Sequence, residues 1–115
     1  ILYDYYKRNM SLTEDEAWAL FKNAQVKVQR GDYKGCITDS TVFLSYAQET
    51  GNTSWEGSAY SNIGCAHENL GNYQDALQYL HKHLELIYYL SFNFLLELLL
   101  IAILLILILV HQVKQ

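Results

Sequence analysis

A chain of 115 residues with a net charge of −4 and a pI near 5.4 makes one small domain at most. The acidic balance argues against a nucleic-acid partner, which needs a basic face. The two cysteines, Cys36 and Cys65, stand in no metal or redox spacing. Nothing at the N-terminus reads as a secretory signal, so both are taken as free thiols of a reducing compartment.

The first helix start falls in Leu12-Thr13-Glu14-Asp15-Glu16. Thr13 can cap, Glu16 follows at the capping-box spacing, and acids fill the first turn, where the helix dipole favours them. Leu20, Ala24 and Val28 then share a face at spacings of four. Gly31-Asp32 ends this helix, because glycine supplies the left-handed conformation cheaply. A second helix follows, and Gly51-Asn52 punctuates its end. Thr53 with Glu56 repeats the capping-box spacing and starts a third helix, which Gly71-Asn72 breaks in turn. In the fourth helix Ala76, Leu77, Leu80 and Leu84 fall on one side. No glycine or proline follows Gly71, which predicts one unbroken helix from near Gln74 to about Val110.

Two segments align at a spacing of 40 residues: AWALFKNAQVKVQRGDYKGCITDSTVFL, 17–44, and GSAYSNIGCAHENLGNYQDALQYLHKHL, 57–84. Gly31 matches Gly71, Tyr33 matches Tyr73, Ala19 matches Ala59 and Leu44 matches Leu84. Small residues match small ones, Ala24 with Gly64 and Cys36 with Ala76. Helices approach closely only where side chains are short, so Ala24 or Gly64 should face Cys36 or Ala76, with Tyr33 and Tyr73 filling the turns. A helix pair of this kind cannot bury its own apolar face and needs neighbours.

These residues resemble the tetratricopeptide repeat, a helix–turn–helix unit. The second unit carries the better match, with Tyr60, Ile63, Gly64, Gly71, Tyr73, Ala76 and Leu84 at the motif's places. The 40-residue period is similar to the long-repeat subclass of partner-of-inscuteable and rapsyn-type scaffolds. The resemblance implies an all-α fold: two helix–turn–helix units stacked as an α-solenoid, unit one over 12–50 and unit two over 51–86. A hydrophobic helix over 87–110 and a tail over 111–115 follow. Ile1 to Tyr6, within an N-terminal segment of 1–11, would be the end of a preceding repeat's second helix. No proline closes unit two, and no third repeat follows it.

The resemblance further implies a non-catalytic adaptor or scaffold whose first helices line a concave groove for a peptide or helix of a partner protein. Carried across by motif position, the groove residues are Trp18, Phe21, Gln25 and Val28 in unit one, and Ser58, Ser61, Asn62, Cys65 and Asn69 in unit two. An amide such as Asn62 suits a peptide backbone, since it both donates and accepts; the competing reading is a solvated helix residue. Trp18 and Phe21 have a competing reading too, as packing against a preceding repeat. The first helix of unit two has no Lys or Arg, so no basic clamp for a carboxylate is evident.

Catalytic constellations are missing. His81 and His83, two apart on a helix, point away from each other, and His67 sits at an aromatic core position of the repeat. There is no phosphate loop, HExxH, GxSxG or CxxC. An enzyme, a cofactor, a metal and a small-molecule substrate are therefore not expected.

The run LLELLLIAILLILILV, 95–110, holds fifteen aliphatic residues and Glu97. A membrane span takes about 20 apolar residues, which here means 90–110 with Glu97 inside it. The acid costs roughly 3 kcal/mol on the insertion scale, and the span's Leu and Ile side chains together return more. Two helix pairs have no interior to enclose a helix apolar on every face. The expectation is a single-pass tail anchor with the repeats facing the cytosol. The alternative is a fragment of a longer soluble, cytoplasmic repeat scaffold whose hydrophobic tail is a truncation or gene-model artefact.

Overall fold

The computed structural model describes residues 1, 2, 4 and 11–115. The reading of Ile1 to Tyr6 turns on Tyr3, Tyr5 and Tyr6, which lie outside the described residues. From Ser11 onward there are four helices and no strand: α1 (Glu14–Gln29), α2 (Tyr33–Glu49), α3 (Thr53–Asn69) and α4 (Tyr73–Lys114).

The helix ends follow from a few residues. Thr13 Oγ1 accepts from the Glu16 N–H at 3.2 Å and donates to Glu16 Oε1 at 3.0 Å, closing the start of α1 as its sequence predicts. Gly31, Gly51 and Gly71, twenty residues apart, all take positive φ: 79°, 69° and 79°. After each, the next residue's N–H reaches back to a carbonyl of the finished helix: Asp32 to Lys27 at 2.8 Å, Asn52 to Ala47 at 2.9 Å, Asn72 to His67 at 2.9 Å. This is the left-handed C-terminal motif that glycine alone enters without strain.

The same residues open the next helix. Asp32 Oδ1 accepts from Gly35 N–H at 2.9 Å, and Asn52 Oδ1 from Trp55 N–H at 3.1 Å. The cap of α3 is therefore Asn52 and not Thr53. The glycine turn leaves the Asn52 side chain facing the orphan N–H groups, so Thr53 is already helical. Glu56 is released for another partner, the Tyr60 hydroxyl.

The chain divides into two units, 1–84 and 85–115. In the first, α2 packs against both α1 and α3, and α1 touches α3. The core has two layers. One joins Ala17, Phe43 and Ala59, with Phe21, Leu44, Tyr46 and Trp55 packed around them. The other joins Ala24, Cys36 and Ala66, with Val28, Tyr33 and Ile37. Within each helix the two core residues stand seven apart, two turns along one face and roughly 10 Å in rise. Alanines on α1 and α3 bring those helices close, and α2 supplies the larger side chain, Phe43, fully buried. Truncating Phe43 would cost about 3–5 kcal/mol.

Some pairings of the 40-residue alignment do not share an environment. Ala59 is buried where Ala19 is exposed, because α3 has neighbours on faces that α1 leaves open. Tyr33 packs on the Ala24–Cys36–Ala66 layer, to which α3 contributes, while Tyr73 has no such cover and stands 67% exposed. Tyr73 therefore does not fill its turn as Tyr33 does. On α4, Ala76 is buried and Leu80 half-buried, but Leu77 is 68% exposed. One residue is about 100° of helix, so Leu77 leaves the face that Ala76 and Leu80 share. Leu84 is also exposed.

Helix α4 is unbroken from Tyr73 to Lys114, as the lack of breakers requires. In the second unit every residue from Phe94 to Gln115 is exposed. This helix is long and apolar enough to cross a membrane.

Candidate protein-interaction surface

The stripe of α3 that carries the expected groove residues runs Trp55, Ser58, Asn62, Cys65, Asn69, at helical spacings of three and four. Much of its polar capacity is spent locally. The Ser58 hydroxyl donates to the Ser54 carbonyl at 3.2 Å, and Asn69 Nδ2 donates to the Cys65 carbonyl at 2.8 Å. Asn62 is half-buried, with its Nδ2 shut away from solvent and without a hydrogen-bond partner. Ser61 is half-buried and the Cys65 residue is exposed.

On α1, Gln25 is exposed, and Val28 lies half-buried against the Ala24–Cys36–Ala66 layer. Trp18 and Phe21 belong to one aromatic cluster. Their rings stack at 5.0 Å, Trp18 stacks on Trp55 at 5.6 Å and 26°, and Phe43 lies 5.0 Å from Phe21 and 5.1 Å from Trp55. Offset rings at these distances add roughly 0.5–1.5 kcal/mol per pair beyond burial. Glu14, Asp15, Trp18 and Trp55 line a cleft of about 310 Å³ where α1 and α3 begin. Trp55 is the member that motif-based reading omits. Its place on the stripe with Ser58 and Asn62 was the available signal.

Polar pairs fix the helices around this surface. Lys27 Nζ lies 2.8 Å from Asp39 Oδ2, joining α1 to α2, with the Asp39 side chain 10% exposed. The hydrogen bond to Asp39 is the main reason the Lys27 pKa is raised. Gln48 Nε2 donates to the Tyr60 hydroxyl at 3.2 Å, and that hydroxyl donates to Glu56 Oε1 at 2.9 Å. Burial first, then the bond to Glu56, push the Tyr60 pKa up. His67 stacks on Tyr79 at 5.6 Å and 15°, filling its aromatic position as expected. Burial raises the Cys36 thiol, which lies 3.8 Å from Ser40 Oγ. Among the described residues no three His, Cys, Asp or Glu side chains gather as metal ligands.

The family model of the tetratricopeptide repeat matches residues 57–87, and the match supports a protein of the tetratricopeptide type. Such repeats generally mediate protein–protein interaction and are typically non-catalytic. No curated protein and no solved structure matches the chain.

Proposed function

We propose that the chain is a non-catalytic adaptor of two long tetratricopeptide units, stacked as a short solenoid, that holds a peptide or helix of a partner protein along α1 and α3. The observation that carries this reading is the match over 57–87, which falls on α3 and the start of α4. The helices of 16 and 17 residues, with glycine turns twenty apart, favour the 40-residue subclass over the shorter standard unit. The groove residues are those named above, joined by Trp55.

Residues 90–110 anchor the module in a membrane, with the repeats facing the cytosol. The support is a helix that is apolar on every face over 98–110 and exposed throughout from Phe94 to Gln115. Fractionation tests this. The full chain should pellet with membranes through high salt and alkali, and should lose that behaviour when 90–110 are deleted. A soluble monomeric full-length chain would sink the anchor.

A second reading, a stretch of a longer soluble array, is favoured by Tyr73 and Leu77, which stand 67% and 68% exposed where a further unit would pack. Transcript sequence across codon 86 separates the two, since a third repeat in frame belongs only to the array.

A further inference from the structure

We propose that the cleft at the start of α1 and α3 takes the guanidinium of an arginine in a basic partner peptide, an inference that rests on the interaction-module reading. Two separate observations meet here. The first is an aromatic shelf left open. Trp18 is 42% exposed although it stacks on Trp55. The shelf is held from behind by Phe43, which is fully buried and 5.1 Å from Trp55. A planar cation laid on such a face gains from the ring quadrupole, and indole is the best ring for it.

The second observation is charge without a counter-charge among the described residues. Glu14 and Asp15 line the same cleft and are exposed. Neither has a hydrogen-bond or ion-pair partner among the described residues, whereas Glu16 is held by Thr13 and Asp39 by Lys27. Among the described residues no cationic side chain lines the cleft. The dipole of α1 explains why acids are tolerated at its first turn. It does not explain the open Trp18 indole beside them.

Aromatic face and carboxylate rim together select a group that is flat, cationic and rich in donors. Arginine satisfies all three: it stacks through its plane and forks onto carboxylates through its edge. Lysine offers a point charge and no plane, and acidic peptides meet Glu14 and Asp15 as like charges.

The chain supplies its own probe, because Trp18 and Trp55 are its only tryptophans and both line the cleft. The full chain would be held in phosphatidylcholine nanodiscs and titrated with capped tetra-arginine while tryptophan emission is read. Tetralysine, tetraglutamate and tetraglycine serve as comparison peptides, and empty nanodiscs correct for lipid binding. The expected result is a saturable response to tetra-arginine, weaker for tetralysine and missing for the other two. The E14Q/D15N double variant should weaken tetra-arginine at least tenfold. E68Q/D75N, which removes the same charge elsewhere on the surface, should leave it within twofold. Circular dichroism checks that each variant stays helical, and D15N alone is the milder substitute. Absence of a response to tetra-arginine, or equal losses in the two double variants, overturns the proposal. A random peptide library selected on the same nanodiscs separates the two levels of the argument. Captured peptides without arginine, indifferent to E14Q/D15N, overturn the arginine site and leave the module standing. Capture of no peptide at all overturns both.

Discussion

Gly64 of α3 and Leu80 of α4 occupy one shared volume: a Cβ at position 64 would lie 2.9 Å from both Cγ and Cδ2 of Leu80. The Ala76 carbonyl stands 3.4 Å from the same point. Leucine reaches over α3 only because position 64 has no side chain. Two terms compete when alanine is introduced. Helix propensity gains about 1 kcal/mol, and overpacking costs about 1–3 kcal/mol. Overpacking should win, so Gly64→Ala is expected to destabilise by about 1 kcal/mol, read as a lower urea midpoint in mild detergent. Paired with Leu80→Ala, it should cost less than the two single losses added together. Strict additivity would mean that the two side chains do not compete for space.

Lys27 and Asp39 should behave unequally when broken. Lys27→Met strands a carboxylate that is only 10% exposed, whereas Asp39→Asn leaves a lysine that is 37% exposed and still has an acceptor. A fully buried pair would lose several kcal/mol. With Lys27 partly solvated, the expected cost of Lys27→Met is about 1–2 kcal/mol, and that of Asp39→Asn is smaller. Urea midpoints for both variants equal to that of the unaltered chain would show that the ion pair contributes nothing measurable.

Alkali should destabilise the first unit in steps. Burial raises Cys36 from its ordinary 9.0; burial and the bond to Glu56 raise Tyr60 from 10.0; the hydrogen bond to Asp39 raises Lys27 from 10.5. Each group holds its proton more tightly folded than unfolded. Stability is therefore complete below about pH 9 and falls with rising pH as the unfolded chain releases protons that the folded chain keeps. Urea midpoints between pH 8 and 11 should trace this decline, and Cys36→Ala should move its onset from about pH 9 to about pH 10. Thiol labelling at pH 8 offers a companion measurement. Cys65 is exposed and Cys36 is buried, so one thiol should react at once and the second only on unfolding.

Asn62 and Asn52 make a contrasting pair. The Asn62 Nδ2 donor is buried and unpartnered, while the Asn52 amide oxygen caps α3. Removing an unsatisfied buried donor relieves a penalty, so Asn62→Ala is expected within about 0.5 kcal/mol of neutral or on the stabilising side. Asn52→Ala should cost about 1 kcal/mol. A large loss at Asn62 would mean that its amide has a partner in solution.

The turns were legible because glycine followed by Asp or Asn has one cheap conformation after a helix. The continuous α4 was legible for the opposite reason, since nothing in it is able to break. Capping at Asn52 was misplaced by one residue. Thr53 with Glu56 has the capping spacing, and spacing alone does not record which residue still faces the orphan N–H groups after a glycine turn. Periodicity was equally blind to cover. Tyr33 and Tyr73 are the same residue at matching positions of the 40-residue alignment, yet only Tyr33 has a third helix contributing to the layer beneath it. In the candidate surface, motif position named Trp18 and Phe21 but not Trp55, the ring that stacks on Trp18. Trp55 comes into contact with Trp18 across 37 residues of chain, and only the close α1–α3 approach through Ala17 and Ala59 brings them together.

That indole pair has an optical consequence. Two strongly absorbing rings 5.6 Å apart, one on α1 and one on α3, form a coupled chromophore whose circular dichroism depends on separation and mutual angle. Helices that splay without melting would lose that couplet while keeping their backbone signal. The gap between α1 and α3 is thus readable without any label, and a ligand wedged between the helices would announce itself as a change in colour rather than in fold.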